Sequence, residues 1–403
     1  MTNAEPELTP FPWHRKCPFQ PPEEYARLRP ETPIAKVGLR TGREAYVVTS
    51  YEHVRKLLTE PNASSDRGHE GFPYYIDIPP QFRTEGSFIG WDPPKHTVYR
   101  RMAAVSGEFT KQRVRAMLPK IEAIVDERID EMLRQGPPCD LVTALALPVP
   151  LTIVCEILGI PHQDHDYLHD RTDKLFGGRS SAEVRMAAIT ELNGYLAELL
   201  ERKLKEPGED LISRIVVRFH EAGLYDSREL VNLVRLLLNG GHETSAAMIA
   251  IGTMTLLEHP DQLEKLKNDW SLAPNAVEEL LRYLTPGDLA SSRVALADID
   301  AGPVTIKEGE GMIICGGAAN RDPEAFPEPD KFDITRPNAR NHVAFGYGVH
   351  HCIGAEIARV ELTVVLTKLF QRIPDIKLAK PWNELQYKDG AVMYGVYEMP
   401  VTW

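Results

Sequence analysis

Three adjacent residues, His350, His351 and Cys352, stand in the stretch "FGYGVHHCIGAEIAR" (345–359), and each side-chain type is a common metal ligand. Zinc is the first chemistry to weigh. Adjacent side chains project in different directions, and no second Cys/His group of compatible spacing occurs elsewhere, so geometry disfavours a tetrahedral zinc site. A redox pair fares no better, because no resolving cysteine is near in sequence. What remains is a lone thiolate. The run after Cys352, "IGAEIARVELTVVLTKLFQRIP", keeps helical periodicity up to Pro374, which places the sulfur at a helix N-terminus. There, backbone N–H groups and the helix dipole stabilise negative charge. Gly346, Gly348 and Gly354 permit tight turns and leave room where a flat, bulky ligand could approach the backbone. A structural cysteine in a glycine loop is the default for one isolated thiol, so the remaining constellations must decide.

Those constellations lie on helices. "SRELVNLVRLLLNGGHETSAAMIAIGTMTLLEHP" predicts one long helix over Ser227–Glu258, with Asp226 and Glu229 suited to a capping box. It is apolar enough that a membrane span must be considered; His242 and Glu243 near its middle and the lack of basic flanks argue for a buried central helix instead. Gly240 and Gly241 cost roughly 1 kcal/mol each against alanine in such a helix, which suggests that a ligand needs the space. Glu243-Thr244 then sets an acid beside an alcohol. In "NAVEELLRYL", Glu279 and Arg282 stand at i, i+3 on one helix face and can pair. In "DPPKHTVYRRM", His96 and Arg100 share a face at i, i+4 after a Pro-Pro helix start. Each pair alone reads as a solvated helix face.

The 403 residues are 43% hydrophobic and 26% charged, an ordinary globular composition with enough apolar mass for a large core. A net charge of −12 repels nucleic acid and anionic lipid, so neither is expected as a partner. The N-terminal stretch lacks a cationic region followed by an apolar one, so a cytoplasmic protein with no membrane anchor is expected. Five scattered cysteines with no CxxC pair argue against a disulfide framework or a four-cysteine zinc site. "PIAKVGL" and "EAYVVTS" read as a β-hairpin ahead of a helix at "YEHVRKLL"; residues 50–259 are mostly helical; short strands return at "PVTIKEGEGMIICGG". The fold class is mainly α with small β-sheets, in a single domain over 1–403, with 1–20 extended. Residues 62–94 form a long aperiodic stretch expected to face a substrate.

The pattern Phe345-Gly346-x-Gly348-x-His350-x-Cys352-x-Gly354 resembles the haem-binding signature of the cytochrome P450 family, the haem-thiolate monooxygenases, at every position. The ordered set "DPPKHT", "GGHETS", "EELLR", "ANRDP" and the Cys loop extends the resemblance over nearly the whole chain, nearest to the actinobacterial branch that tailors antibiotics and oxidises xenobiotics. It implies the P450 fold, with haem b between the long central helix and the Cys-loop helix, and Cys352 as the axial thiolate. It implies haem contacts at His96, Arg100, Arg293, His350, Phe345, Gly346 and Gly354, and it leaves His351 without a chemical role. Glu279 and Arg282 become part of a structural network whose third member is Lys331, where the family usually has arginine, or nearby Arg336. Glu243 and Thr244 become a proton relay; the central helix departs from the usual bacterial pattern with Gly240 for alanine and Ser245 for a second threonine.

By the same resemblance the substrate, a small organic molecule, meets Phe88, Gly240, Leu289, Ala290 and Met393, and one atom of O2 is inserted by hydroxylation or epoxidation. Electrons are expected from a separate ferredoxin and ferredoxin reductase, with Arg100, Arg101, Lys111, Arg113 and Arg115 as a basic docking patch, and the protein is expected to be a monomer. Oxidative coupling without oxygen insertion, nitric-oxide reduction and a non-catalytic haem sensor are the alternatives; the last two have no evident use for the Glu243-Thr244 relay.

Overall fold

In the computed structural model the described residues are 8–75, 86–104, 107–176, 180–389 and 393–403. Thirty-two residues, Ser227–Glu258, form the central helix, capped by Asp226, whose carboxylate accepts the Glu229 backbone N–H at 2.9 Å. Glu229 does not complete a capping box. Its side chain turns outward to the Lys95 ammonium (2.5 Å) and the Tyr99 hydroxyl, and so ties the central helix to the helix Lys95–Ala104 that carries His96 and Arg100. Around the central helix pack Pro148–Leu158, Ala182–Lys205, Ala273–Leu284 and Ala355–Arg372, with Lys111–Gln135 behind them on Ala355–Arg372 and Pro148–Leu158, and their apolar faces merge in one large core. No helix among the described residues is long and apolar enough to cross a membrane.

The β structure is small and lies at the margin. A six-stranded sheet runs in the order Pro10–Phe11, Ile34–Leu39, Glu44–Val48, Gly311–Ile314, Ser291–Ala295, Ala63–Ser64. The expected hairpin is there, antiparallel with Ile34 opposite Val48, and Ser50 caps the helix Tyr51–Leu58 that follows. Strand Ser291–Ala295 delivers Arg293, and strand Gly311–Ile314 leads into the turn that holds Asn320. The N-terminal segment is irregular but docked: residues 10 and 11 join the sheet, and the Arg15 guanidinium donates to the Leu284 carbonyl (3.3 Å). The long stretch 62–94 contains the strand Ala63–Ser64 and a short turn at Phe88–Gly90; the part expected to face a substrate at 76–85 lies outside the described residues.

Candidate active site

The Cys loop is built from backbone first. Its neck closes where the Cys352 N–H donates to the Phe345 carbonyl at 2.8 Å, and Gly346 and Gly348 sit at φ +71° and +72°, a region L-residues rarely adopt. At Gly348 a Cβ would stand 2.7 Å from the Leu58 carbonyl oxygen, so the loop seats directly on the helix Tyr51–Leu58. Glycine there is a packing requirement as well as a conformational one. Gly354 caps the helix Ala355–Arg372 and its N–H bonds the Cys352 thiol. Cys352 itself is exposed, yet the protein packed around it desolvates the thiol and pushes it up, while the Gly354 N–H, Arg100 and Arg359 act in the opposite direction. The helix end helps the thiolate, as the sequence suggested, but desolvation outweighs it. Metal coordination would deprotonate the sulfur outright.

Glu278 clamps both flanks of this loop. Its carboxylate lies 3.0 Å from His342 Nε2 before the loop and accepts from Arg359 Nε (2.7 Å) after it. Next to it, Glu279 and Arg282 are wholly buried and paired bidentately at 2.7 and 2.8 Å. Arg282 also donates to the carbonyls of Asn320 and Pro329 (2.9 and 2.8 Å). The third member is Arg336, whose Nε reaches Glu279 at 3.1 Å and whose other nitrogens bond the carbonyls of Pro327, Glu328 and Lys331. Lys331 enters only through its carbonyl, and its side chain is exposed. The shorter and more flexible ammonium could not supply the planar donor fork that three carbonyls and a carboxylate need here. Asn320 links this network to the Cys loop, its Oδ1 accepting the Val343 N–H at 2.8 Å.

Four further donors converge beside the loop. His96 is 2% exposed and neither ring nitrogen has a partner; its ring lies 4.3 Å from that of His350. His350 Nε2 is 3.0 Å from Ser65 Oγ, and its Nδ1 is unpartnered. Arg293 is buried and bonds the Ser292 carbonyl (2.8 Å). Arg100 donates to the carbonyl of His351, next to Cys352, at 2.5 Å. Burial, with Arg293, His96 and Arg100 crowding it, depresses His350 to about 3; burial brings Arg293 down to about 10. Buried polar groups normally find partners, and cationic groups that push one another's titration down are relieved by anionic oxygens placed among them. These residues fit a ligand that brings carboxylates. Arg100 faces inward, so it does not belong with the exposed Arg101, Lys111, Arg113 and Arg115, of which Arg113 is already paired to Glu108 (2.8 Å).

On the central helix the two glycines differ. A Cβ on Gly241 would meet Val154 Cγ2 at 2.9 Å, so this residue lets the helix Pro148–Leu158 approach; a Cβ on the exposed Gly240 meets nothing within 4 Å. The room for a ligand belongs to Gly240 alone. The Thr244 hydroxyl donates to the Gly240 carbonyl (2.7 Å), and the helix continues unbroken through this turn. Ser245 meets the fully buried Glu361 at 3.4 Å, setting this segment against the helix that begins after Cys352; burial lifts the Glu361 carboxyl to about 8. Glu243 accepts a 2.5 Å bond from the Lys388 ammonium, and both are buried. Burial raises the Glu243 carboxyl while Lys388 pulls it back down.

The pocket residues divide. Gly287 brings Met393 and Ala290 together: its added Cβ would stand 3.4 Å from the Met393 methyl and 3.7 Å from the Ala290 Cβ. The Leu289 carbonyl accepts from the Tyr75 hydroxyl (3.1 Å). Phe88 is buried edge-on against His96, at 6.2 Å between rings. Sequence reading missed Glu278, Asn320, Ser65 and Lys388. Glu278 and Asn320 adjoin recognised motifs and were within reach; Lys388 sits in a polar turn with no local signal.

A long buried helix carrying an acid and an alcohol, a buried Glu–Arg–Arg network and a glycine-braced cysteine define the haem-thiolate oxygenase class. The comparisons with known proteins agree. A family model described as Cytochrome P450 matches residues 179–374. The chain is 44% identical to Cytochrome P450 105A3 of Streptomyces carbophilus over 98% of its own length and 96% of that protein's. It is 43% identical to pentalenic acid synthase of Streptomyces avermitilis, over 98% and 97%. The crystal structure of cytochrome P450 MoxA from Nonomuraea recticatena superposes with a TM-score of 0.91 at 45% identity, covering 98% of each chain. The chain belongs to the cytochrome P450 family, and it is an oxidoreductase, a monooxygenase, of the kind whose family uses haem-thiolate, O2, a substrate and redox partners.

Proposed function

We propose that the chain inserts one oxygen atom of O2 into a small organic substrate, by hydroxylation or epoxidation, in secondary-metabolite tailoring or xenobiotic oxidation. The observation that carries this reading is the convergence of His96, Arg100, Arg293 and His350 around the Cys352 loop, with both ring nitrogens of His96 and Nδ1 of His350 left without a partner. Cys352 would hold the iron of haem b, and those four residues would hold its propionates. Phe345, Gly346 and Gly354 would line the proximal side. When bound, that group supplies oxygen activation at an electron-rich iron.

The chain's own residues do the rest. Arg100 fixes the His351 carbonyl, and with it the direction of the sulfur. Gly240 leaves open space on the central helix, and Thr244 keeps its hydroxyl oriented by the Gly240 carbonyl, while Glu243, the adjacent residue, would store a proton. Ala290, Met393 and Leu289 would bound the substrate, with Phe88 acting from behind His96. A separate ferredoxin and its reductase would supply electrons, with the exposed Arg101, Lys111 and Arg115 steering an acidic partner to an otherwise acidic, monomeric, cytoplasmic protein. The names of relatives, pentalenic acid synthase among them, favour an organic natural product over a simple gas as substrate.

Thr244→Ala tests the relay. General acid–base steps contribute about 10²-fold or more, so product per reductant consumed should fall by at least ~10-fold while peroxide rises. Unchanged coupling would remove Thr244 from the proposal.

A further inference from the structure

A lysine buried to 8% exposure is uncommon, and Lys388 is held there by Glu243, its side chain 9% and that of Glu243 7% exposed, at 2.5 Å. Burying two charges costs more than a surface pair returns, so such a pair is weak evidence for stability and calls for another reason. Its setting supplies one. Lys388 lies on a C-terminal hairpin in which its N–H donates to the Gly395 carbonyl (2.8 Å) and Tyr387 bridges Val396. Gly395 lies against Ala247, one helical turn beyond Glu243, which sets the hairpin along the central helix. The returning arm carries Met393 to Gly287 and Ala290. One hairpin therefore touches both the acid and the residues placed around the substrate.

We propose that Lys388 is a positioning residue of the proton relay: from the C-terminal hairpin it holds Glu243 oriented and able to cycle between its charged and neutral forms, and it ties that acid to the substrate-side arm of the same hairpin. This rests on the relay reading given above. An acid works best when its affinity for protons matches the ambient pH. Burial and the nearby Asp173, on the helix His165–Phe176, favour protonated Glu243; Lys388 is the group that opposes them. On Glu243's own helix, His242 is fully buried and held down to about 3 by burial, His169 and Lys388 against a Leu147 backbone hydrogen bond, so it stays neutral and adds no charge. Without Lys388, Glu243 would keep its proton and stop supplying Thr244.

The test uses the haem-loaded protein and four variants: Lys388→Met, Lys388→Gln, Lys388→Arg and Glu243→Gln. Infrared difference spectra against pH follow the protonated carboxyl band that Glu243→Gln lacks. Its midpoint should rise by about one pH unit, tenfold in proton affinity, in Lys388→Met, and return in Lys388→Arg. The second readout is the share of reductant lost as peroxide, with electrons from a plant ferredoxin and its reductase and no added organic substrate. It should rise about threefold or more in Lys388→Met, and Lys388→Met added to Glu243→Gln should give no further rise, as for residues acting through one another. If Lys388→Met does not fold, Lys388→Gln, which keeps a donor without the charge, gives the same readings. An unmoved midpoint, an unmoved peroxide share, or additive effects in the double variant would overturn the proposal. Thr244→Ala in the same assay separates the two claims: if it raises peroxide and Lys388→Met does not, Lys388 alone falls; if neither does, the relay falls with it.

Discussion

The two sides of the site are held in opposite ways. The carboxylate–arginine network under the cysteine loop is answered: Glu279 by two arginines and the Asp333 N–H, Arg336 by a carboxylate and three carbonyls, Glu278 by His342 and Arg359. On the central-helix side an open glycine, the neighbouring Asn239 with an unpartnered Oδ1 and an acid tied to a distant lysine stand within about a turn of one another. A fully satisfied network fixes one geometry. Groups left short of partners can rearrange or take a ligand. The first arrangement suits a sulfur that must always point one way, and the second suits a surface that must pass protons and accept different molecules.

The largest effect comes from breaking the satisfied network. Arg282→Leu leaves Glu279 buried without its bidentate partner and should destabilise by about 3–5 kcal/mol, enough to lose the fold in many domains. Lys331→Ala, by contrast, removes only an exposed side chain and should stay within about 0.5 kcal/mol. Chemical denaturation of both variants checks this, and a large loss in Lys331→Ala would return the lysine to the network. Arg100→Ala should leave the fold intact but weaken haem retention by roughly tenfold to a hundredfold, since hydrogen bonds to charged groups contribute about 1.5–3 kcal/mol. Haem transfer to an acceptor protein measures it, and full retention would place Arg100 outside the anion site.

The two helical glycines sharpen the comparison at smaller cost. Gly241→Ala forces a methyl against Val154 and should cost about 1–3 kcal/mol of stability. Gly240→Ala has open space and should gain helix propensity, while changing which compounds shift the haem absorption on binding. Equal stability effects would erase the distinction between a packing glycine and a pocket glycine.

Much of this was legible in the sequence where chemistry is local. The central helix is found with its stated ends, the hairpin at its stated strands, and Glu279 with Arg282 on one face, because helical spacing and capping act over a few residues. Long-range choices were not legible. Arg336 over Lys331 depends on where the chain doubles back under Glu279, and Gly241 could be separated from Gly240 only once a second helix had packed on one of them. Lys388, 145 residues from Glu243, reads locally as a solvated lysine before an aspartate. Arg100 looked like part of a surface patch because its neighbours are, whereas its guanidinium turns to the His351 carbonyl.

The central claim is that one sulfur, and neither of its histidine neighbours, binds the iron. It is tested most directly by reducing the purified haem-loaded protein under carbon monoxide and recording the Soret band. Ligation by Cys352 predicts the red-shifted band of a thiolate-bound adduct, absent in Cys352→Ala. A histidine-type band in the unaltered protein would contradict the account.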